Sequence, residues 1–303
     1  MNKKNDILAL YELTLDDLIT QADQLRQKHF IKTFDLCSIN NIKSGKCTED
    51  CTFCSQSIHF KTNSPTYDLI DRKKALLAAQ SLESQGVHKH SLVSSGKGLD
   101  PNDLDSLIDI YETLKEETNL SLCASHGILT KDQAKKLKKA GVKRYHHNLE
   151  SSESYYNNIC TTHTYQDRID TIQACQAVGL EVCSGGIWGL GETREDRIDM
   201  LLTLNSLNVD SVPINFLCPV EGTPLENNMP EDPIEIMKTL AIYRIVLRDK
   251  EIRLAGGRMQ LENYLEQVYR CGVNGILTGD YLTTTGFTVQ KDIQLLNELN
   301  YTI

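Results

Sequence analysis

The strongest constraint on what this chain can fold into is a recurring rhythm. Eight short apolar or β-branched runs occur along it: FDLCSI (34–39), HSLVSS (90–95), LSLCAS (120–125), RYHHNLE (144–150), EVCSGGI (181–187), SVPINFL (211–217), EIRLAGG (251–257) and VNGILTG (273–279). Between them lie segments with helical start signals. Asp100-Pro101 is an N-cap followed by proline at the first helical position, and Leu104, Leu107, Ile108, Tyr111 and Leu114 then repeat on one face. Thr130 with Gln133 makes a capping-box pattern, and Asp232-Pro233 with Glu235 opens a helix carrying Ile236, Leu240, Tyr243 and Leu247. Strands alternating with helices imply parallel βα units. The expected fold class is therefore α/β, a (β/α)8 TIM-type barrel forming one domain over residues 1–303, with short helical extensions at about 1–30 and about 280–303. An open doubly wound sheet is the alternative. Both place the functional site at the C-terminal ends of the strands.

Composition excludes several function classes. A net charge of -9 argues against a nucleic-acid surface, which needs basic residues to neutralise phosphates. The N-terminal stretch MNKKNDILALYELTLDDLI has acidic residues where a signal peptide would have an apolar core. No apolar run reaches the roughly 18 residues that a membrane span requires. The expected location is the cytoplasm, whose reducing conditions make the ten cysteines metal ligands, catalytic groups or buried thiols rather than disulfides.

Three of those cysteines, Cys47, Cys51 and Cys54, form a CxxxCxxC group on the loop after the first run. A structural zinc site closes with four ligands, usually as two distant CxxC pairs. Here three thiols cluster, with no further Cys or His among them. On a cubane iron–sulfur cluster, three cysteines leave one iron without a protein ligand and open for chemistry. A zinc site or a fully ligated cluster is the plainer reading.

This spacing resembles the radical S-adenosylmethionine (SAM) superfamily. The resemblance implies a [4Fe-4S] cluster whose open iron binds the amino and carboxylate groups of SAM, and whose electron cleaves the sulfonium to release a 5′-deoxyadenosyl radical. Phe53, before the third cysteine, also matches and is implied to pack near the SAM adenine. Over roughly residues 30 to 300 the chain resembles the biotin synthase family. The stretches that carry this are IKSGKCTEDCTFCSQS, YHHNLESSESYYNNICTTHTYQDR, VCSGGIWGLGET, SVPINF followed by EGTPL, and RLAGGRMQ. Hydrogenase-maturation and pyrrolysine-pathway enzymes share the cysteine loop but not this set.

The family resemblance implies a sulfurtransferase that inserts sulfur into dethiobiotin to form biotin. It implies that Asn148 and Asn215 hold the ureido ring, a task suited to amides because a cyclic urea presents donors and an acceptor. Glu150 stands where the family has an Asp contacting the SAM ribose, and His146 replaces an Asn in the same motif. Arg168 matches an arginine that pairs with the SAM carboxylate. The segment GGIWGLGE (185–192) matches the adenine side, with Trp188 in place of an aliphatic residue. A reducing donor such as flavodoxin or ferredoxin and a homodimer are implied by the family alone.

Sulfur in this family comes from an auxiliary iron–sulfur cluster, held by cysteines on strands two, three and five and an arginine at the end of strand seven. Cys123, Cys183 and Arg258 match three of these positions. Strand two departs, because the family's Arg-Phe-Cys reads Lys89-His90-Ser91. A seryl oxygen is a hard, poor ligand for iron. Cys37 lies on the neighbouring first strand, where many members have serine. Inward side chains from alternate barrel strands form one layer, so the expectation is that Cys37 replaces the missing ligand beside Cys123, Cys183 and Arg258. The cluster is then [2Fe-2S] or a larger four-iron variant with an additional sulfide.

Two rivals stand beside this reading. One is a single-cluster radical SAM enzyme of the same subgroup acting on a different small molecule. The other is a non-catalytic iron–sulfur scaffold protein, which has no use for the two asparagines. Among the other cysteines, Cys175 and Cys271 are expected in the core, Cys160 is expected to pack near the SAM-binding segment, and Cys218 is a weaker ligand candidate. The eight histidines show no HxH or HExxH spacing, and His146 and His147 are expected as hydrogen-bonding groups.

Overall fold

The structure, a computed structural model, describes residues 3–303, so the first two residues of the expected N-terminal extension lie outside the described residues. Its strands are β1 (Asp35–Lys43), β2 (Lys89–Ser94), β3 (Ser121–Ser125), β4 (Arg144–His146), β5 (Glu181–Cys183), β6 (Gly186–Trp188), β7 (Ser211–Phe216), β8 (Glu251–Leu254) and β9 (Gly275–Thr278). All pair in parallel within one sheet, ordered β5-β4-β3-β2-β1-β9-β8-β7-β6, and a β5–β7 pairing joins the two sides. β5 and β6 are two halves of one stave, so the strands close an eight-stave (β/α)8 barrel.

The interruption in the fifth stave has a steric cause. A Cβ on Gly185 would lie 1.9 Å from the Pro213 carbonyl oxygen, so only glycine permits β7 to come so close. The Gly185 carbonyl instead accepts from Leu149 N at 2.9 Å and Glu150 N at 3.2 Å. This draws the chain after β4 over the barrel mouth.

Helices α1 (Lys4–Leu8) and α2 (Leu15–Phe30) precede the barrel, and α2 packs on α8. The outer layer is α3 (Arg72–Ser84), α4 (Pro101–Glu117), α5 (Lys131–Ala140), α6 (Tyr165–Ala177), α7 (Arg194–Ser206), α8 (Pro233–Leu247) and α9 (Leu265–Arg270); α10 (Val289–Glu298) follows β9. The caps expected at Asp100, Thr130 and Asp232 form, and Thr164 and Thr193 add capping boxes with Asp167 and Asp196. Each such cap contributes about 1 kcal/mol. Among the described residues, no helix is long and apolar enough to cross a membrane.

Alternation along each strand decides what enters the barrel. On β1 the interior side takes Asp35, Cys37 and Ile39, while Leu36 and Ser38 are buried on the other face. Lys89, Arg144 and Glu251 begin their strands and, with Asp35 and Arg253, form a charged floor at the N-terminal end. Arg253 pairs with both Asp35 and Glu251, Lys89 pairs with Asp35, and Arg144 meets Glu251 at 3.0 Å. Burial alone would raise the Asp35 carboxyl, but Arg253 and Lys89 hold it well below the carboxylate range.

Alternation also corrects the expectation for Trp188. Ile187 faces the barrel, and Trp188 points to the helical layer. There it packs edge-on against Tyr243 and Phe216, with ring centroids 5.3 and 6.0 Å away. Its indole is a core group and does not line the site.

Candidate functional site

A cavity of about 420 Å³ opens at the C-terminal mouth and runs down the barrel. Two groups of thiols line it, Cys47, Cys51 and Cys54 on the loop after β1 and Cys37, Cys123 and Cys183 on β1, β3 and β5.

The upper loop is shaped by its backbone. Gly45 has φ +75°, and a Cβ there would meet Thr66 Oγ1 at 2.4 Å. Gln56 Oε1 accepts from Ser44 Oγ at 3.0 Å and Gly45 N at 3.2 Å, and Cys47 N donates to Gln56 O at 3.1 Å. Cys54 N donates to Cys51 O at 2.9 Å, which closes a tight turn. The loop is also tied to residues 159–163. Thr52 N donates to Ile159 O at 2.9 Å, and Asp50 accepts from Thr161 N at 2.9 Å and Thr162 N at 3.2 Å.

Burial pushes the Cys54 thiol up to about 11 and raises Cys47 as well. Cys51 is raised by its contact with Cys160 and by burial. Such thiols stay protonated until a metal ion binds the sulfur and displaces the proton to solvent. All three thiols line the cavity and carry the soft sulfur that an iron–sulfur cluster requires.

Opposite them stand Asn148, Glu150 and Arg168. Arg168 Nη1 donates to the Asn148 carbonyl at 2.8 Å, its Nε donates to Tyr156 OH, and its guanidinium lies 3.5 Å from Glu150. Glu150 adopts φ +69° and bridges to Gly186, which aims its carboxylate inward. Burial raises that carboxyl, and Arg168 opposes the shift. Asn148 Oδ1 accepts from Gly185 N at 3.1 Å, and its Nδ2 donates to Glu150 at 3.2 Å. Asn215 repeats the arrangement on β7, with Nδ2 donating to Gly186 O at 3.1 Å and Oδ1 accepting from Gly256 N at 2.9 Å. Each amide keeps one N–H and one lone pair for a ligand. Phe53 lines the same space, and His146 and His147 are held neutral by burial.

Deeper in the cavity Cys37 lies near Cys123, and Ser91 and Cys123 are register partners on β2 and β3. The contact between the two thiols pushes Cys37 down, helped by Arg253 and opposed by burial, while Cys123 is pushed up.

Arg253 and Arg144 line this part of the cavity, and Arg258 does not. Gly257 takes φ +78° at the end of the strand and turns Arg258 away from the cavity. There Arg258 donates to both oxygens of Asp292 on α10, at 2.7 and 2.8 Å, and to Leu277 O at 3.3 Å. Arg253, two residues after Glu251 on the same face of β8, lines the cavity beside Cys37 and Cys183. The two-residue period of EIRLAGG carries that signal.

Other lining residues were not signalled as site candidates. Arg144 stands in register with Cys123, and Tyr281 to Thr284 close one side of the mouth. Cys218, the weaker ligand candidate, lines the cavity as well, 3.6 Å from Gln260 Nε2. Cys160 is buried as expected, but it belongs to a polar group: its Sγ lies 3.2 Å from Asp50 and 3.2 Å from His163 Nδ1. The CTTH spacing of Cys160 and His163 was the available signal. Cys175 and Cys271 lie in the core.

Residues 41–204 match the Radical SAM superfamily, and residues 213–302 match the Biotin and Thiamin Synthesis associated domain. The chain is 53% identical to the biotin synthase of Fusobacterium nucleatum, covering 96% of this chain and 81% of that protein. It is 48% identical to the biotin synthase of Campylobacter hominis, covering 98% and 92% respectively. In fold it is similar to methylornithine synthase, with a TM-score of 0.86 at 19% identity over 100% of this chain and 94% of that one. A maturase of the [FeFe]-hydrogenase gives a TM-score of 0.85 at 15% identity, over 99% and 71%.

Proposed function

Because this chain belongs to the biotin synthase family of the radical SAM superfamily, we propose that it acts as a sulfurtransferase converting dethiobiotin to biotin, with SAM as co-substrate. The observation that carries the reading is the position of Asn148 and Asn215. Both line one cavity with two separate groups of thiols, and both keep a donor and an acceptor free.

Cys47, Cys51 and Cys54 would hold the [4Fe-4S] cluster. When bound, that cluster supplies the electron that cleaves SAM, and an auxiliary cluster supplies the sulfur. The chain's own residues bind and orient. Arg168 offers a guanidinium to the SAM carboxylate, the Glu150 carboxylate suits a ribose hydroxyl, and Phe53 offers a ring edge for the adenine. Asn148 and Asn215 fix the ureido ring and so set which carbons face the mouth. The apolar part of the lining keeps water from the reacting carbons.

Cys37, Cys123 and Cys183 with Arg253 would hold the auxiliary cluster. The thiol chemistry supports this, because Ser91 offers only a hard oxygen while Cys37 brings a soft sulfur to the next strand. The cluster held there would be a [2Fe-2S] or a larger four-iron cluster. A flavodoxin or ferredoxin donor, a homodimer and a cytoplasmic location complete the reading from family resemblance.

The test is dethiobiotin-dependent release of 5′-deoxyadenosine by the reduced, reconstituted enzyme. Asn215→Leu should abolish the dependence on dethiobiotin while iron content stays unchanged. Equal release with and without dethiobiotin in the unaltered enzyme would reject the substrate.

A further inference from the structure

Cys160 and His163 are buried, sit beside the cluster loop, and have no part in the chemistry above. With Cys51 they bring two thiol sulfurs and an imidazole nitrogen within 4.8 Å of one another. Ligand bonds of about 2.0–2.3 Å place the donor atoms of a tetrahedral site roughly 3.3–3.8 Å apart. The group is therefore near binding geometry before any ion enters. We propose that, in the cluster-free protein, Cys51, Cys160 and His163 bind a single thiophilic divalent cation, ferrous iron or zinc.

Three observations support the site. Its two halves come from distant segments, and hydrogen bonds fix them together: Thr52 N to Ile159 O, and Thr161 N and Thr162 N to the Asp50 carboxylate. Carboxylates stand beside two of the ligands, with Asp50 3.2 Å from the Cys160 sulfur and Glu49 2.6 Å from His163 Nδ1. Such outer carboxylates accept the protons that an entering ion displaces from the thiols. The donor set is also selective, since two thiolates and an imidazole favour zinc or ferrous iron over magnesium or calcium.

The shared ligand gives the site a consequence. Cys51 cannot serve this ion and a cubane at once. Ferrous iron held here already stands beside the loop that needs it, whereas zinc held here withholds Cys51 from cluster assembly. That consequence rests on the cubane reading for Cys47, Cys51 and Cys54; the ion site itself does not.

Cobalt(II) titration of the full-length, cluster-free chain under argon tests the site. A Cys47→Ser/Cys54→Ser chain removes the competing loop thiols. It should bind one cobalt with a thiolate-to-metal charge-transfer band, and adding Cys160→Ala or His163→Ala should weaken binding at least tenfold. Unchanged affinity and band in those variants would overturn the site, as would no binding by a chain whose circular dichroism shows it folded. Cadmium-113 NMR of the unaltered chain with one equivalent of cadmium requires no loop substitution. Its resonance should move on Cys160→Ala, and an identical resonance would overturn the proposal even if the double variant failed to fold. Loss of SAM cleavage with the cadmium result intact would count against the cubane reading alone.

Discussion

Arg258 donates to both carboxylate oxygens of Asp292, at 2.7 and 2.8 Å, with neither side chain exposed to solvent. The pair joins the exit of β8 to α10 and anchors the C-terminal helix against the barrel. Phe287 lies under the same guanidinium at 4.8 Å.

Arg258→Met should therefore destabilise the fold by roughly 3–5 kcal/mol, because it strands a buried carboxylate. Urea unfolding of the cluster-free chain measures the loss. The auxiliary-cluster Mössbauer spectrum should be unchanged in Arg258→Met and altered in Arg253→Met. The reverse pattern would restore Arg258 to the site.

Cys37→Ala should lose the auxiliary iron while the iron bound by the upper loop remains. Adding Ser91→Cys to that variant should return part of the auxiliary signal, because residue 91 lines the same chamber. Iron and sulfide counts with Mössbauer spectra report both steps. An auxiliary spectrum identical to that of the unaltered protein in Cys37→Ala would remove Cys37 from the ligand set.

Trp188→Phe should leave SAM affinity within twofold of the unaltered protein. The indole packs between Tyr243 and Phe216, so its replacement should appear in the urea midpoint. As the only tryptophan, it should report unfolding by fluorescence and stay silent on SAM binding. A tenfold loss of SAM affinity at unchanged stability would contradict the outward placement.

Stability should fall on mild acidification. Burial lowers His126 to about 3 and His90 to about 4, below the ordinary value of about 6.5. Between these values and 6.5 the unfolded chain binds more protons, so stability present above pH 6.5 is lost as pH falls. Each histidine contributes a slope of about 1.4 kcal/mol per pH unit in that window. Urea midpoints of the cluster-free chain at pH 7.5 and 5.0 should differ accordingly, and His126→Gln should flatten the slope. A flat profile in the unaltered chain would contradict burial of these imidazoles in neutral form.

How much of this was legible beforehand differs residue by residue. Cys47, Cys51 and Cys54 lie within one short loop, so covalent spacing alone brings them together. The barrel followed from eight runs alternating with capped helices, although the Gly185 interruption depends on how closely β7 approaches. Arg258 and Trp188 were misplaced because motif matching ignores facing. Strand parity puts Arg253 and Ile187 inward and Trp188 outward, and the left-handed turn at Gly257 takes Arg258 away from the cavity. The meeting of Cys51 with Cys160 and His163 joins segments more than a hundred residues apart, and only the fold brings them together.

The most direct test of the central claim is a single-turnover assay without oxygen. The reconstituted enzyme, reduced and mixed with SAM and dethiobiotin, should form biotin together with 5′-deoxyadenosine, and 34S placed in the auxiliary cluster should appear in the biotin. Cleavage of SAM with no biotin, or biotin free of that isotope, would contradict a sulfur donor held by Cys37, Cys123, Cys183 and Arg253.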